Sequence, residues 1–263
     1  MQVAVIGTAS GLALQAQRAG LDVFVRRWRS EDRAIPEAAG IRILPEWPAF
    51  LECLPSPRVW LLDLVAGADF DPILDEASAV MEPGDVVVDP GTSWWCDTLR
   101  RWRRMRHRAL WYVDAAGLTT AQGELWLVAG EERGVELALP VLTRLVAPAP
   151  LRHIGPPAAA HYLAAVQEAV DVALAQARRE AVQLAEAFPG ELDQELVRAL
   201  WPDDGSTACG REAWVIDDAL RLEAAAPLLS LAAVLRAAER LEECRSTPPP
   251  PRCGTFVTPE DLA

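Results

Sequence analysis

The chain has 263 residues, of which 51% are apolar and 24% are charged, and its formal net charge is -13. This length and composition predict a globular protein with one large or two modest domains. The negative charge disfavours nucleic acid and anionic membranes as main partners, and no run approaches the ~20 apolar residues of a membrane-spanning helix. We therefore expect a cytoplasmic protein that acts without nucleic acid or a membrane.

The chemistry is limited by residue types that the chain lacks. The sequence contains no lysine and no asparagine, and all 25 of its lysine or arginine positions are arginine. Without lysine, the chain cannot form a Schiff base from a side-chain amine or use a buried ammonium group as a base. Codon bias is enough to explain arginine on the surface, but it does not replace an amine at a catalytic position. The cysteines show no metal-ligand or disulfide spacing, so we expect reduced thiols and no metal at Cys53, Cys96, Cys209, Cys244 and Cys253.

The first half of the chain alternates short apolar runs with helical patterns, which is typical of a parallel sheet covered by helices. The predicted strands cover residues 2–7, 22–26, 41–44, 59–64, 85–89, 110–114 and 124–129. The predicted helices cover residues 12–19, 73–80, 95–106 and 134–146. This order predicts a doubly wound, Rossmann-like α/β domain over residues 1–152.

From residue 153 the pattern becomes helical. One helix is predicted over residues 158–188, and at ~1.5 Å per residue it would be about 45 Å long. A small domain can hardly cover such a helix alone, so we expect it to connect two domains or subunits and the protein to form a homodimer. Shorter helices are predicted over residues 191–201, 209–222 and 227–241. Residues 153–245 are thus a predicted helical part, and residues 246–263 a proline-rich tail.

A glycine-containing loop follows the first strand, where a dinucleotide-binding fold has G-x-G-x-x-G. Here the sequence is G-T-A-S-G-L, and alanine and leucine stand at the second and third glycine positions. The loop is equally compatible with a weakened nucleotide site and with a retained fold that binds no nucleotide. The candidate cofactor-binding residues of this loop are Gly7, Thr8, Ala9, Ser10 and Gly11.

Arginines follow the second strand, where an acid would bind the ribose of NAD. Arg26 and Arg27 suit a 2'-phosphate, which favours NADP as the cofactor. The alternative is a solvated turn whose arginines are merely exposed. A second arginine-rich stretch, residues 99–108, is interpreted as the solvated face of an amphipathic helix rather than as a nucleic-acid site.

The order of segments resembles one known family. Residues 82–101, E-P-G-D-V-V-V-D-P-G-T-S-W-W-C-D-T-L-R-R, resemble the block E-P-G-D-x-x-I-D-G-G-N-S-x-Y-x-D-S-x-R-R of decarboxylating 6-phosphogluconate dehydrogenases. Residues 153–163, H-I-G-P-P-A-A-A-H-Y-L, are similar to that family's H-x-G-P-x-G-A-G-H-F-V. The resemblance covers roughly residues 1–245. It implies an NADP-linked oxidoreductase of small molecules, with a Rossmann-like domain, a long interdomain helix, a helical domain and usually a homodimer.

The resemblance also assigns site residues, and the departures from the family fall on the chemistry. Val65, Ala66 and Gly67 would contact the cofactor, and Thr92 and Ser93 the substrate. The family's lysine, which transfers a proton, is replaced by Ala164, and the two family asparagines by Thr92 and Glu168. The family's S-G-G substrate loop is replaced by a shorter stretch after Asp114. Ordinary 6-phosphogluconate decarboxylation is therefore not expected.

Three titratable residues remain on one face of the long helix, because positions 161, 164, 168 and 171 are separated by three or four residues. His161, Glu168 and Asp171 could form an acid–base site. The alternative is a structural histidine beside partly solvated acids. The leading hypothesis is an NADP-dependent oxidoreductase-like protein with altered or lost chemistry. The alternatives are an imine or carbonyl reductase and a non-catalytic binding or assembly protein.

Overall fold

The computed structural model describes residues 1–7, 11–26, 40–44, 46–65, 67, 69–120, 122–188, 190–202 and 214–246. Several residues of the expected cofactor site, namely Thr8, Ala9, Ser10, Arg27 and Ala66, lie outside these ranges. So does the proline-rich tail after residue 246. Residue contacts divide the chain into two compact units, residues 1–164 and 165–263.

The described residues of the first unit form one sheet of eight strands. The strands are β1 (Gln2–Ile6), β2 (Asp22–Arg26), β3 (Arg42–Ile43), β4 (Val59–Leu62), β5 (Val86–Asp89), β6 (Trp111–Thr120), β7 (Gly123–Gly130) and β8 (Leu151–Gly155). Their spatial order is β3-β2-β1-β4-β5-β6-β7-β8. The first six strands of this order are parallel, β7 is antiparallel to β6, and β8 is parallel to β7. The order of the parallel part is that of dinucleotide-binding folds.

Helices cover both faces of the sheet. They are α1 (Leu12–Arg18), α2 (Pro48–Cys53), α3 (Phe70–Ser78), α4 (Trp95–His107) and α5 (Glu132–Val146). Successive strand residues point to opposite faces, so Val3 and Val5 of β1 pack with α1 and α5, whereas Ala4 and Ile6 pack with α2, α3 and α4. The predicted doubly wound α/β fold is confirmed.

The rest of the described chain is helical. The helices are α6 (Ala159–Glu186), α7 (Gln194–Leu200), α8 (Trp214–Arg221) and α9 (Pro227–Ser246). The 28-residue α6 confirms the long helix, which begins in the first unit and continues into the second. Among the described residues, none of the helices combines the length and apolar composition that a bilayer span requires.

The structure differs from the sequence prediction in strand β6, which is longer than expected and pairs with β7. The stretch after Asp114 was expected to be a loop, but β6 continues to Thr120 and forms a hairpin with β7. Gly117 lies opposite Trp126, and a Cβ atom on Gly117 would stand only 3.0 Å from the indole ring. A residue without a side chain thus allows the strand to pass the tryptophan. Helix α2 and strand β8 were not predicted.

Candidate functional site

The candidate site lies at the carboxyl edge of the parallel strands. The chain runs from β1 to β2 on one side and reaches β4 on the other, so the topological switch point lies between β1 and β4. In open α/β sheets, ligands bind in the crevice outside the strand ends at this point. Three buried acids stand at this edge: Asp63 after β4, Asp89 at the end of β5, and Asp114 in β6.

Gly7 is required by the close approach of β1 and β4. Its φ angle is +92°, and an added Cβ atom would lie 2.4 Å from the carbonyl oxygen of Asp63. Asp63 in turn donates its backbone N–H to the carbonyl oxygen of Ile6 at 2.8 Å. The first glycine of the loop therefore has a packing role, whether or not a nucleotide binds.

Helix α1 begins without a side-chain cap of its own. Its N-cap residue is Gly11, which has a φ angle of +81° and no side chain to accept a hydrogen bond. The backbone N–H of Leu12 instead donates to Asp63 Oδ2 at 3.1 Å. Asp63 is only 3% exposed. Sequence reasoning missed Asp63, although a single acid at the end of the apolar run V-W-L-L was a visible signal.

Arg26, which was predicted to bind a 2'-phosphate, makes contacts within the protein. Its Nη1 atom donates to Glu76 Oε1 at 2.7 Å, and its guanidinium lies 4.1 Å from the ring centroid of Trp47. The indole N–H of Trp47 donates to the same Glu76 oxygen at 2.7 Å. A 2'-phosphate would have to share this guanidinium with a carboxylate. Of the residues predicted after β4, Val65 is 71% exposed, and Gly67 is also exposed, with a φ angle of +156°.

The two predicted substrate residues differ in accessibility. Thr92 is exposed, whereas Ser93 is buried. Ser93 Oγ donates to Asp89 Oδ2 at 3.0 Å and accepts from Arg101 Nη1 at 2.8 Å. Tyr112 donates its hydroxyl to the same Asp89 oxygen at 2.8 Å, and burial followed by the Asp89 charge raises the pKa of Tyr112 well above its ordinary value. Ser93 therefore belongs to a buried hydrogen-bond network.

Asp114 fixes the start of α6. Its Oδ1 atom accepts from the backbone N–H of Ala158 at 2.7 Å, and its Oδ2 atom accepts from those of Ala160 and His161 at 3.0 and 3.1 Å. Burial raises the pKa of the Asp114 carboxyl above its ordinary value, and the His161 ring and the backbone N–H groups of Ala158 and His161 oppose this rise. The carboxylate thus combines a buried charge with three hydrogen bonds.

The candidate acid–base residues fall in different environments. His161 is fully buried, its Nδ1 atom lies 2.8 Å from Thr98 Oγ1, and its Nε2 atom has no hydrogen-bond partner among the described residues. Glu168 and Asp171 belong to the second unit and are half-buried. Asp171 Oδ1 accepts from the Gln167 amide at 2.9 Å. The first unit brings His161 together with Asp114 and Thr98, and the acid–base role of all three predicted residues stays a prediction.

No group of histidine, cysteine, aspartate or glutamate within the described ranges is arranged to hold a metal ion. Buried acids and their hydrogen bonds occupy the described part of the site.

The parallel-strand order and the crevice at its switch point define the class of dinucleotide-binding α/β proteins. Within this class, the chain belongs to the family whose model is described as the NAD binding domain of 6-phosphogluconate dehydrogenase, which matches residues 2–155. The decarboxylating 6-phosphogluconate dehydrogenase of Escherichia coli K12 is 27% identical over 213 residues, which is 75% of this chain and 46% of that enzyme. The chain thus aligns with less than half the length of this relative.

Two solved structures share the fold. A 6-phosphogluconate dehydrogenase from Plasmodium falciparum, solved with NADP+ and with 6-phosphogluconate, has a TM-score of 0.72 at 17% identity. The match covers 94% of this chain and 63% of that one. A 3-hydroxyisobutyrate dehydrogenase from Mycobacterium tuberculosis has a TM-score of 0.73 at 17% identity, with 92% and 94% of the two chains covered. The resemblance inferred from the sequence is confirmed.

In the described part of the crevice, the contacts at the start of α1 do not leave the Leu12 N–H free for the pyrophosphate of a nicotinamide dinucleotide. In this fold the pyrophosphate lies at the N-terminus of the helix after β1, where free N–H groups and the helix dipole favour an anion. Here the N–H of Leu12 is bonded to the carboxylate of Asp63. At the ribose end, the guanidinium of Arg26 is bonded to Glu76. The family model describes an NAD binding domain, whereas the contacts of Leu12 and Arg26 do not favour the phosphates of a dinucleotide.

We expect Asp114→Asn to destabilise the protein even though it removes a buried charge. Asparagine has one carbonyl oxygen, so its amide group would face at least one of the N–H donors that the two carboxylate oxygens now accept. A buried donor without a partner costs about 1–3 kcal/mol. The midpoint of thermal unfolding, followed by circular dichroism, should therefore fall.

Asp193→Asn is the matched control. Asp193 caps α7, and its Oδ1 atom alone accepts from the N–H groups of Glu195 and Leu196. The amide oxygen of asparagine can make both bonds, and aspartate and asparagine are similar caps, so the midpoint should barely change. A higher midpoint for Asp114→Asn would mean that the cost of burying the charge outweighs the hydrogen bonds.

Proposed function

We propose that this chain is an oxidoreductase-fold protein that has lost the decarboxylating chemistry of the 6-phosphogluconate dehydrogenase family. The observation that carries the proposal is the environment of Ala164, which aligns with the family's lysine. Ala164 is 4% exposed and packs with other apolar residues of the first unit, namely Ala116, Leu127, Ala129 and Ala160. No lysine occurs elsewhere in the chain to replace it.

The environment of His161, one of the remaining candidates for proton transfer, supports the same proposal. A general acid or base must reach the proton that it transfers, directly or through one water molecule. The His161 ring is fully buried and held at Nδ1 by Thr98, which does not favour contact with a substrate. A reductase of small imines or carbonyls would need His161 or Asp171 as its proton donor, and the burial of His161 does not favour the first of these two.

The preference for NADP over NAD stays a prediction, and it depends on Arg26 and Arg27. Arg27 lies outside the described residues, and Arg26 is paired with Glu76. The pairing weakens the argument for a 2'-phosphate because the carboxylate already neutralises part of the guanidinium charge.

Steady-state assays with 6-phosphogluconate test the loss of chemistry. Purified protein is mixed with the sugar acid and with NADP+ or NAD+, and reduced nicotinamide is followed by its absorbance. We expect no rate above that of the sample without protein, because the chain has no side-chain amine to transfer the proton.

The Escherichia coli relative, assayed in the same buffer, is the positive control. Turnover by this chain at a rate within about a hundredfold of the relative would contradict the proposal, because loss of an acid–base group typically costs 10²–10⁴-fold. The variant His161→Gln tests whether any residual rate comes from proton transfer by this histidine or from another source. An unchanged rate would exclude the histidine as its source.

Exposed apolar side chains favour a second candidate function, assembly through the helical unit. Most of the large apolar side chains that are exposed within the described ranges lie in the second unit. They include Leu184, Phe188, Leu200, Leu220 and Leu228. Where exposed apolar side chains form a patch, they mark interaction sites in soluble proteins. The occupant that we propose is a second copy of the chain, which would make the protein a homodimer.

Sedimentation equilibrium at micromolar concentration tests the homodimer. The expected mass is twice the chain's 28.6 kDa. The double variant Leu184→Glu with Leu220→Glu should shift the mass towards the monomer, because the added charges would be buried in an apolar interface. Leu139→Glu on α5 of the first unit is the matched control and should leave the mass unchanged. A monomer for the unmodified protein would refute the dimer.

A further inference from the structure

Asp63 stands at the point of the fold where a phosphate is expected. It follows the last residue of β4, and its backbone N–H bonds Ile6 at the end of β1, so it lies at the switch point of the sheet. The start of α1, which follows β1, is the place where dinucleotide-binding folds hold a pyrophosphate. The position of Asp63 therefore bears directly on which ligand the crevice can take.

The carboxylate of Asp63 provides what a phosphate would provide. The N-cap residue Gly11 has no side chain, so the first N–H of α1 has no local acceptor. Asp63 Oδ2 accepts this N–H from Leu12 at 3.1 Å across 51 residues of sequence. A negative charge at a helix N-terminus is also stabilised by the helix dipole. The Leu12 N–H therefore already has an acceptor within the protein, and a carboxylate already occupies the favourable field of the α1 dipole.

The backbone of Asp63 is fixed by its neighbours. A Cβ atom on Gly7 would stand 2.4 Å from the Asp63 carbonyl oxygen, which means that the two strand ends touch. The side chain is 3% exposed, so its charge is poorly screened by water. A second acid, Glu76, neutralises Arg26 at the end of β2. The described residues at the start of α1 and at the end of β2 therefore already contact a carboxylate of the protein.

We infer that Asp63 is an internal substitute for the cofactor pyrophosphate and that it excludes phosphorylated dinucleotides from the crevice. A pyrophosphate at this site would lose the Leu12 N–H and would face a like charge in a partly buried environment, where Coulomb repulsion is strong. The ligands that such a crevice admits are nucleosides and other compounds without phosphate. The inference is independent of the loss of decarboxylation, since a protein without turnover could still bind the cofactor.

Binding measurements on Asp63→Asn test the inference. Asparagine keeps an oxygen that can accept the Leu12 N–H but removes the charge. Titrations use isothermal calorimetry, supported by energy transfer to NADPH from the chain's 10 tryptophans. We expect the unmodified protein to bind NADPH weakly. Asp63→Asn should bind it at least about tenfold more tightly, because the substitution removes a negative charge close to the pyrophosphate. Adenosine, which has no phosphate, should gain less than about threefold.

Two controls make the result specific. Asp22→Asn changes the net charge equally, but Asp22 begins β2 at the opposite edge of the sheet and is exposed. Its affinity for NADPH should match that of the unmodified protein. Asp63→Ser, which offers a neutral hydroxyl oxygen, should behave like Asp63→Asn and replaces it if that variant does not fold by circular dichroism.

Three outcomes would overturn the inference. One is the absence of any gain in NADPH affinity in both folded Asp63 variants. Another is an equal gain for adenosine and NADPH, which would mean that the substitution opens space rather than removing repulsion. The third is an equal gain in Asp22→Asn, which would reflect only the net charge. None of these outcomes depends on turnover of 6-phosphogluconate, so the two proposals can fail separately.

Discussion

Buried carboxylates at the carboxyl edge of the sheet hold the segments that follow the strands. Asp63 bonds the first N–H of α1, Asp114 bonds three N–H groups at the start of α6, and Asp89 bonds the N–H of Gly91 and the hydroxyl groups of Ser93 and Tyr112. Each acid is almost fully buried, so its charge is compensated by hydrogen bonds rather than by water. These contacts fix the geometry of the edge where a fold of this family binds its ligands.

The two functional proposals rest on two separate differences from a working dehydrogenase. A dehydrogenase needs an open anion site for the cofactor and a group that transfers a proton to or from the substrate. In this chain, Asp63 bonds the helix N-terminus and an alanine stands at position 164. The two differences act on separate steps, binding and chemistry, and both point away from ordinary dehydrogenase activity. The fold itself does not require either function, because its stability comes from the two apolar layers around the sheet.

The parallel sheet and the long helix could be predicted from the sequence because their signals are local: apolar runs of strand length, and nearly 30 residues without a helix breaker. The contacts of Asp63 and Arg26 could not, because their partners lie 51 and 50 residues away. The hairpin between β6 and β7 was missed because Ala115, Ala116 and Gly117 have low strand propensity. Opposite Trp126, the small Gly117 is needed for packing. For Arg26, the predicted phosphate contact rests on the residue type and its position after the second strand, whereas the structure pairs it with Glu76.

The most direct test of the central claim is a crystal structure of the protein grown with millimolar NADPH. The account predicts that Asp63 Oδ2 still accepts the Leu12 N–H and that no pyrophosphate lies at the start of α1. A phosphate oxygen within roughly 3.2 Å of the Leu12 nitrogen, with the Asp63 carboxylate displaced, would contradict it.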